Sequence, residues 1–168
     1  CLFPTACRII WEPMEYLIDI LDGLGQPQIV LIGDFMLDEY VYGDVERISQ
    51  EAPIPVLHVT KRDYRSGGAG NVASAITALG GQVECIGTVG RDWQAEKIRE
   101  LLNHAGAGTS SLHALPDRPT IIKTRYVGLA QHKNPHQILR VDDEMTDGLS
   151  EADRNTILDA VSKAIDKQ

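Results

Sequence analysis

The chain has 168 residues, 43% apolar and 24% charged, with 16 Lys+Arg against 24 Asp+Glu and a formal net charge of −8. This is globular composition on the scale of one domain or a large part of one, and it excludes a disordered or fibrous chain; the acidic balance also argues against a nucleic-acid partner. No apolar run approaches the roughly 20 residues that cross a bilayer, the N-terminus lacks the order of a secretory signal, and Cys1, Cys7 and Cys85 are too scattered for a disulfide framework or metal-ligand spacing, so a soluble, cytoplasmic chain is expected.

In chain order, residues 13–24 are predicted as an amphipathic helix with Met14, Leu17, Ile18 and Leu21 on one face. Pro13 suits its first turn and Gly23 or Gly25 its stop, so residues 1–12 are an N-terminal extension. Residues 29–32 are an apolar run ending at Gly33, the pattern of a strand buried on both faces. Residues 54–60 alternate partly and lie beside Pro53 and Pro55. Proline donates nothing to a ladder, so this strand belongs at an edge or outside the main sheet. A small-residue helix over 71–79, stopped by Gly80-Gly81, leads to a buried strand over 83–89. Asp92 caps a helix reaching His104, with Trp93, Ile98, Leu101 and Leu102 expected in the core. Strands follow over 121–129 and 137–141. Ser150 with Asp153 resembles a capping box that opens a last helix carrying Ile157, Leu158, Val161 and Ile165. The alternation of strand and helix at 29–32, 71–79, 83–89 and 92–104 predicts a parallel sheet with helical crossovers. The helix-free segments around 40–60 and 120–142 predict a second, smaller β layer.

Three groups of residues offer chemistry beyond packing. Asp34 and Asp38 fall just past the first predicted strand, where open α/β sheets bind ligands. Carboxylate oxygens accept hydrogen bonds from polyol hydroxyls; capping a turn is the plainer role for either residue. Ser66-Gly67-Gly68-Ala69-Gly70-Asn71 leads straight into a helix, whose N-terminal N–H groups a ligand can approach across glycine. Gly68 through Ala73 also fits the dinucleotide fingerprint G-x-G-x-x-A, which requires a buried strand before it, whereas Lys61-Arg62-Asp63-Tyr64-Arg65 precedes it. Lys123, Arg125, His132, Lys133, His136, Gln137 and Arg140 form a basic cluster on the second β layer. It can hold a phosphate by charge-assisted hydrogen bonds or serve as a solvated hairpin. Tyr40 and Tyr42 suit a sugar face as well as strand packing.

Taken in this order, Ile32-Gly33-Asp34 through Asp38, Gly67-Gly68-Ala69-Gly70-Asn71 and Gly87-Thr88-Val89-Gly90-Arg91-Asp92 resemble the ribokinase-like (pfkB) family of carbohydrate kinases. Further segments are similar to its heptose-7-phosphate kinase branch, the kinase part of ADP-heptose synthases. They are Gly33 through Tyr40, Gly43-Asp44-Val45-Glu46-Arg47-Ile48-Ser49, Glu51-Ala52-Pro53-Ile54-Pro55-Val56, Pro119-Thr120 with Lys123, and Gln137-Ile138-Leu139-Arg140-Val141-Asp142. The resemblance implies a mostly parallel α/β core with a small β lid, its strands around 40–65 and 119–142, that covers the sugar and makes a homodimer contact. Residues 13–168 would be the N-terminal half of such a kinase domain. By position, Asp38 matches the sugar-binding aspartate, Gly67, Gly68 and Asn71 the di-glycine sugar loop, and Asp34 a second acidic position. Lys123, Arg125, Gln137 and Arg140 are implied near the substrate phosphate. The activity implied is transfer of the ATP γ-phosphoryl, with Mg²⁺, to the anomeric hydroxyl of D-glycero-D-manno-heptose 7-phosphate, for ADP-heptose and lipopolysaccharide synthesis. Family members are longer, and their second half carries the nucleotide site and a Gly-Ala-Gly-Asp segment with the anion hole and the catalytic base. Here Gly106-Ala107-Gly108 is followed by Thr109, so the catalytic residues are expected beyond residue 168 and the chain alone is expected to be inactive. A dinucleotide-binding oxidoreductase domain and a non-catalytic sugar-binding or dimerising module are the alternatives.

Overall fold

The computed structural model describes residues 8–23, 25–129 and 134–166. Cys1 and Cys7, and His132 and Lys133 of the basic cluster, lie outside the described residues. The elements run α1 (Arg8–Gly23), β1 (Gln28–Ile32), β2 (Phe35–Ile48), β3 (Pro55–Gly68), α2 (Ala69–Ala78), β4 (Gln82–Val89), α3 (Trp93–His104), β5 (Leu112–Ala114), β6 (Ile122–Leu129), β7 (His136–Asp143) and α4 (Glu151–Ile165). α1 thus begins ahead of the predicted position 13.

Two sheets result. β1, β4 and β5 pair in parallel in the order β1-β4-β5, as the strand–helix alternation predicts. β5 has 3 residues, too short to show any periodicity in the sequence. The second sheet has the order β3-β2-β6-β7, with β2 antiparallel to β3, parallel to β6, and β6 antiparallel to β7. β3 carries Pro55 at its first residue and lies at the edge, where a missing N–H is tolerated. β2 and β3 run 14 residues each. β2 starts directly after the Gly33-Asp34 turn, so Asp38 stands on a strand and not in a loop.

The second sheet is rooted in the core of the first. Phe35, Leu37 and Ile122, at the start of β2 and β6, are buried in one cluster with Val83, Cys85, Val89, Ile98, Leu102 and Leu112. Burying each such large side chain contributes about 1.5–3 kcal/mol, so the base of the outer sheet is packed as part of the domain. β2 alternates buried and part-buried residues through Gly43 and then runs out into solvent. Burial pushes the Cys85 thiol up to about 11, with Glu84 adding to the effect, so it behaves as an apolar core residue.

Two packing expectations change. β1 is only part-buried and Ile32 is 53% exposed, because among the described strands β1 pairs with β4 alone; β4, paired on both sides, is the mostly buried strand. Trp93 is 54% exposed and stands edge-on to Tyr64, ring centroids 5.7 Å apart, while Ile98 and Leu102 fill the core. Ser150 caps α4 by accepting from the Asp153 N–H, as predicted. Leu158 and Ile165 nevertheless remain exposed. No helix among the described residues is long and apolar enough to cross a membrane.

Candidate functional site

At the carboxyl end of β1 the chain turns at Gly33 and Asp34 and leaves along β2. The Gly33 N–H donates to the Ile86 carbonyl at 3.2 Å, and the Asp34 carbonyl accepts from the Ala69 N–H, the first of α2, at 3.0 Å. That second bond stitches the acidic turn to the glycine bend. A methyl group on Gly68 would stand 2.5 Å from the Asp34 carbonyl oxygen, and Gly68 has φ +56°, a left-handed conformation that glycine adopts freely. A methyl on Gly67 would stand 2.7 Å from Asp38 Oδ2 and 2.9 Å from Met36 Cγ. The bend therefore passes directly over the Asp38 carboxylate with no room for a side chain. Gly67→Ala is expected to cost about 1–3 kcal/mol by overpacking, read as a lower urea midpoint.

Gly68 caps α2 without a side-chain hydrogen bond, and the first turn of α2 holds no acidic residue. Its N–H groups and partial positive charge thus lie beside Asp34 with no side-chain carboxylate of their own to neutralise them. Asn71 is exposed in that first turn. The strand before Gly68 is β3, mostly exposed and antiparallel at a sheet edge. A dinucleotide fingerprint follows a buried strand of a parallel sheet, so Gly68 through Ala73 is not one.

Along β2 the register places Lys123 opposite Asp38 and Arg125 opposite Tyr40 on β6; across β7 these face Asp142 and Arg140. Arg125 Nη1 donates to Asp38 Oδ1 at 2.5 Å, with each side chain 20% exposed. The Arg125 guanidinium also stands 5.2 Å from the Tyr40 ring centroid. The hydrogen bond to Asp38 raises the Arg125 pKa against the opposing effect of burial. Lys123 Nζ bridges Asp142 at 3.2 Å and Glu144 at 3.1 Å, and Arg140 reaches Asp142 at 2.9 Å. Hydrogen bonds to Glu144 and Asp142 raise the Lys123 pKa. Burial alone would raise Asp142, but hydrogen bonds from Lys123 and Arg140 outweigh it and hold that carboxyl below the usual range. The fold thus brings Asp38, Gly67, Lys123 and Arg125 together, with Arg140 next in line. Gln137 pairs with Val127 beyond a register shift, about 13 Å along the sheet from the level of Asp38 at roughly 3.3 Å per residue.

Two further carboxylates take on more than the sequence assigns them, Glu39 having no reading of its own and Asp92 only that of a helix cap and a motif residue. Glu39, on the other face of β2, is 7% exposed and is satisfied by Arg62 Nη1 at 2.6 Å and Thr124 Oγ1 at 2.9 Å. A buried carboxylate with both oxygens bonded holds the sheet together and offers a ligand nothing. Asp92 does more than cap α3. It accepts from the Ala95 N–H at 2.9 Å, and also from the Thr120 N–H at 2.8 Å and the Thr120 hydroxyl at 2.7 Å. The same hydroxyl accepts from the Gly90 N–H at 2.7 Å. Thr120 lies just ahead of β6, so this knot ties the strand carrying Lys123 and Arg125 to the end of β4. Its sequence signals were two separate motifs, Gly87 through Asp92 and Pro119-Thr120, with nothing to pair them.

Residues 26–153 match the family described as pfkB family carbohydrate kinase. The chain is 40% identical over 137 residues to "Bifunctional protein HldE" of Methylobacillus flagellatus, which covers 82% of this chain and 27% of that protein. It is 39% identical over 147 residues to the "D-beta-D-heptose 7-phosphate kinase" of Bordetella bronchiseptica, covering 88% of this chain and 43% of that one. The ribokinase of Arabidopsis thaliana, solved with ribose and ATP, matches with a TM-score of 0.53 at 19% identity, over 79% of this chain and 42% of that one. The shared fold is ribokinase-like α/β. The chain spans less than half the length of each of these relatives. With its central sheet, its glycine bend and most of its length inside the match, the chain belongs to the pfkB family of carbohydrate kinases.

Proposed function

We propose that this chain is the substrate-binding part of an ATP-dependent kinase that phosphorylates the anomeric hydroxyl of D-glycero-D-manno-heptose 7-phosphate, for ADP-heptose and the lipopolysaccharide core. The observation that carries it is the close passage of the Gly67 backbone by the Asp38 carboxylate, where an added methyl would stand 2.7 Å from Oδ2, on the outer sheet just past the end of the parallel one. It forms a place where sugar hydroxyls can donate to a fixed carboxylate while backbone comes close. Asp34 and Asn71 border the same bend. On the β6 side of Asp38, Arg125 and Lys123 offer cations to a phosphate, with Arg140 and Gln137 further along the lid. The choice of sugar rests on the name of the Bordetella bronchiseptica relative.

ATP supplies the phosphoryl group, and phosphoryl transfer depends on positioning and charge neutralisation, commonly with Mg²⁺. Among the described residues no three His, Cys, Asp or Glu side chains gather as a metal site. These residues do not fit the ion. The nucleotide, its Mg²⁺, the base and the anion hole are placed by this proposal in the further length that the relatives possess. A second copy is the proposed partner, docking through the β lid in the cytoplasm. β7 is exposed along its whole length, with Ile138 at 44% and Leu139 at 54%.

Titration calorimetry of the chain with heptose 7-phosphate, beside an ADP-release assay on the same sample, tests the proposal. Binding without turnover is expected. A folded chain that binds no sugar sinks it, and turnover by these 168 residues would show that the base lies among them.

A further inference from the structure

A second guanidinium reaches the same patch from the other side of β2. The register sets Arg65 of β3 directly across from Asp38, and Asp63 across from Tyr40. The Arg65 guanidinium stands 4.8 Å from the Tyr40 ring centroid and that of Arg125 5.2 Å, so one ring carries two cations. Cations over a tyrosine face are attracted by its quadrupole, and a stacked guanidinium keeps its in-plane donors available at its edge.

The commitments of the nearby cations differ. Arg125 is one-fifth exposed and closes on Asp38, while Lys123 is 18% exposed and spans two carboxylates. Taking Arg125 away would strip the part-buried Asp38 carboxylate of its ion pair, and taking Lys123 away would leave Glu144 without one. The Arg65 side chain is 58% exposed, and its ion pair is with Asp63 on its own strand, at 3.0 Å. Such an exposed pair contributes little, so an incoming anion displaces it easily. Phosphate matches the planar fork of arginine with two parallel charge-assisted hydrogen bonds.

We propose that Arg65, held on Tyr40 across the strand from Asp38, selects a phosphorylated over an unphosphorylated sugar by binding the phosphate the substrate already carries. This rests on the sugar-kinase function proposed above. Asp38 takes the hydroxyls, Tyr40 is the platform, and Arg65 exchanges Asp63 for the phosphate.

The test titrates the full chain and its Arg65→Met and Arg65→Lys variants with heptose 7-phosphate, with the unphosphorylated heptose and with inorganic phosphate. Arg65→Met keeps the stem on Tyr40 but removes the fork. It is expected to weaken binding of the phosphorylated sugar by about 10- to 100-fold and to leave the unphosphorylated sugar within about twofold. Arg65→Lys restores part of the loss, since it keeps the charge without the bidentate geometry. Weak phosphate binding by the parent chain, lost in Arg65→Met, supports the same assignment. If the parent chain binds both sugars and Arg65→Met keeps the preference, or weakens both equally, the Arg65 assignment falls while the sugar site stands. If the folded parent binds neither sugar, both fall together.

Discussion

Asp38→Asn is expected to weaken binding of heptose 7-phosphate by about 100-fold. Hydrogen bonds to a charged group contribute about 1.5–3 kcal/mol each, and a carboxylate facing a polyol accepts about two of them; about 3 kcal/mol corresponds to a factor of roughly 100 or more. Asparagine keeps the shape but loses the charge and turns one acceptor into a donor. It also releases Arg125, whose 2.5 Å bond to Asp38 Oδ1 would lose its anionic partner. Arg125→Met separates the two effects: if the carboxylate itself holds the sugar, that variant loses far less affinity for the unphosphorylated heptose than Asp38→Asn does. Asp34→Asn is expected to cost about tenfold or less, because the stitch to Ala69 uses the Asp34 backbone carbonyl and not its carboxylate. Calorimetric titration of the three variants measures all of this. A loss of less than about threefold in Asp38→Asn would remove Asp38 from the site.

Why Asp38 was legible in the sequence and its neighbour was not comes down to alternation. The Asp34–Asp38 and Gly67–Asn71 motifs stand out because they occur together and in family order; either one alone is as readily a turn cap or a glycine turn. The cap of α3 by Asp92 and the stop after Val89 follow from local pattern as well. Which face a strand residue takes is not local, however. Asp38 and Glu39 are adjacent carboxylates, yet one meets Arg125 beside the glycine bend and the other is buried on Arg62 and Thr124. That outcome depends on the pairing of β2 with β3 and β6, strands far away along the chain. The same holds for Lys61 through Arg65. So dense a charged run hides an edge strand, because each cation finds its partner across the sheet or two residues along it: Arg62 on Glu39, Arg65 on Asp63. Trp93 misleads in the opposite direction. Its place in the stripe of α3 suggests core, but as the first residue of that helix it stays 54% exposed and edge-on to Tyr64, while Ala95 of the same turn is buried.

The knot at Asp92 was the least legible feature, and its removal is expected to have the largest effect on stability. Asp92→Ala deletes a helix cap, about 1 kcal/mol, and orphans the N–H and hydroxyl donors of Thr120, itself only 2% exposed. Leaving buried donors unsatisfied costs about 1–3 kcal/mol, so a total of about 2–4 kcal/mol is expected, or roughly 5–12 °C in Tm for a domain of this size. Asparagine retains a cap and one acceptor and should lose about half as much. Burial opposes ionisation of Asp92, but the hydrogen bonds from Thr120 and Ala95 outweigh it and hold the carboxyl below its ordinary value. A carboxyl depressed in the folded chain stabilises it fully above the unfolded value of about 3.9 and loses that contribution as pH falls through the folded value. The gap between the parent chain and Asp92→Asn is therefore expected to be widest near neutrality and to close below about pH 4, measured as urea midpoints across that range. A gap that persists unchanged in acid would mean that the charge of Asp92 contributes nothing. Because Thr120 leads into β6, the same variant is expected to speed hydrogen exchange at the amides of Ile122 through Arg125 more than at β4. That result would make Asp92 the joint that keeps Lys123 and Arg125 in register with Asp38, and equal exchange in both strands would reduce it to a cap.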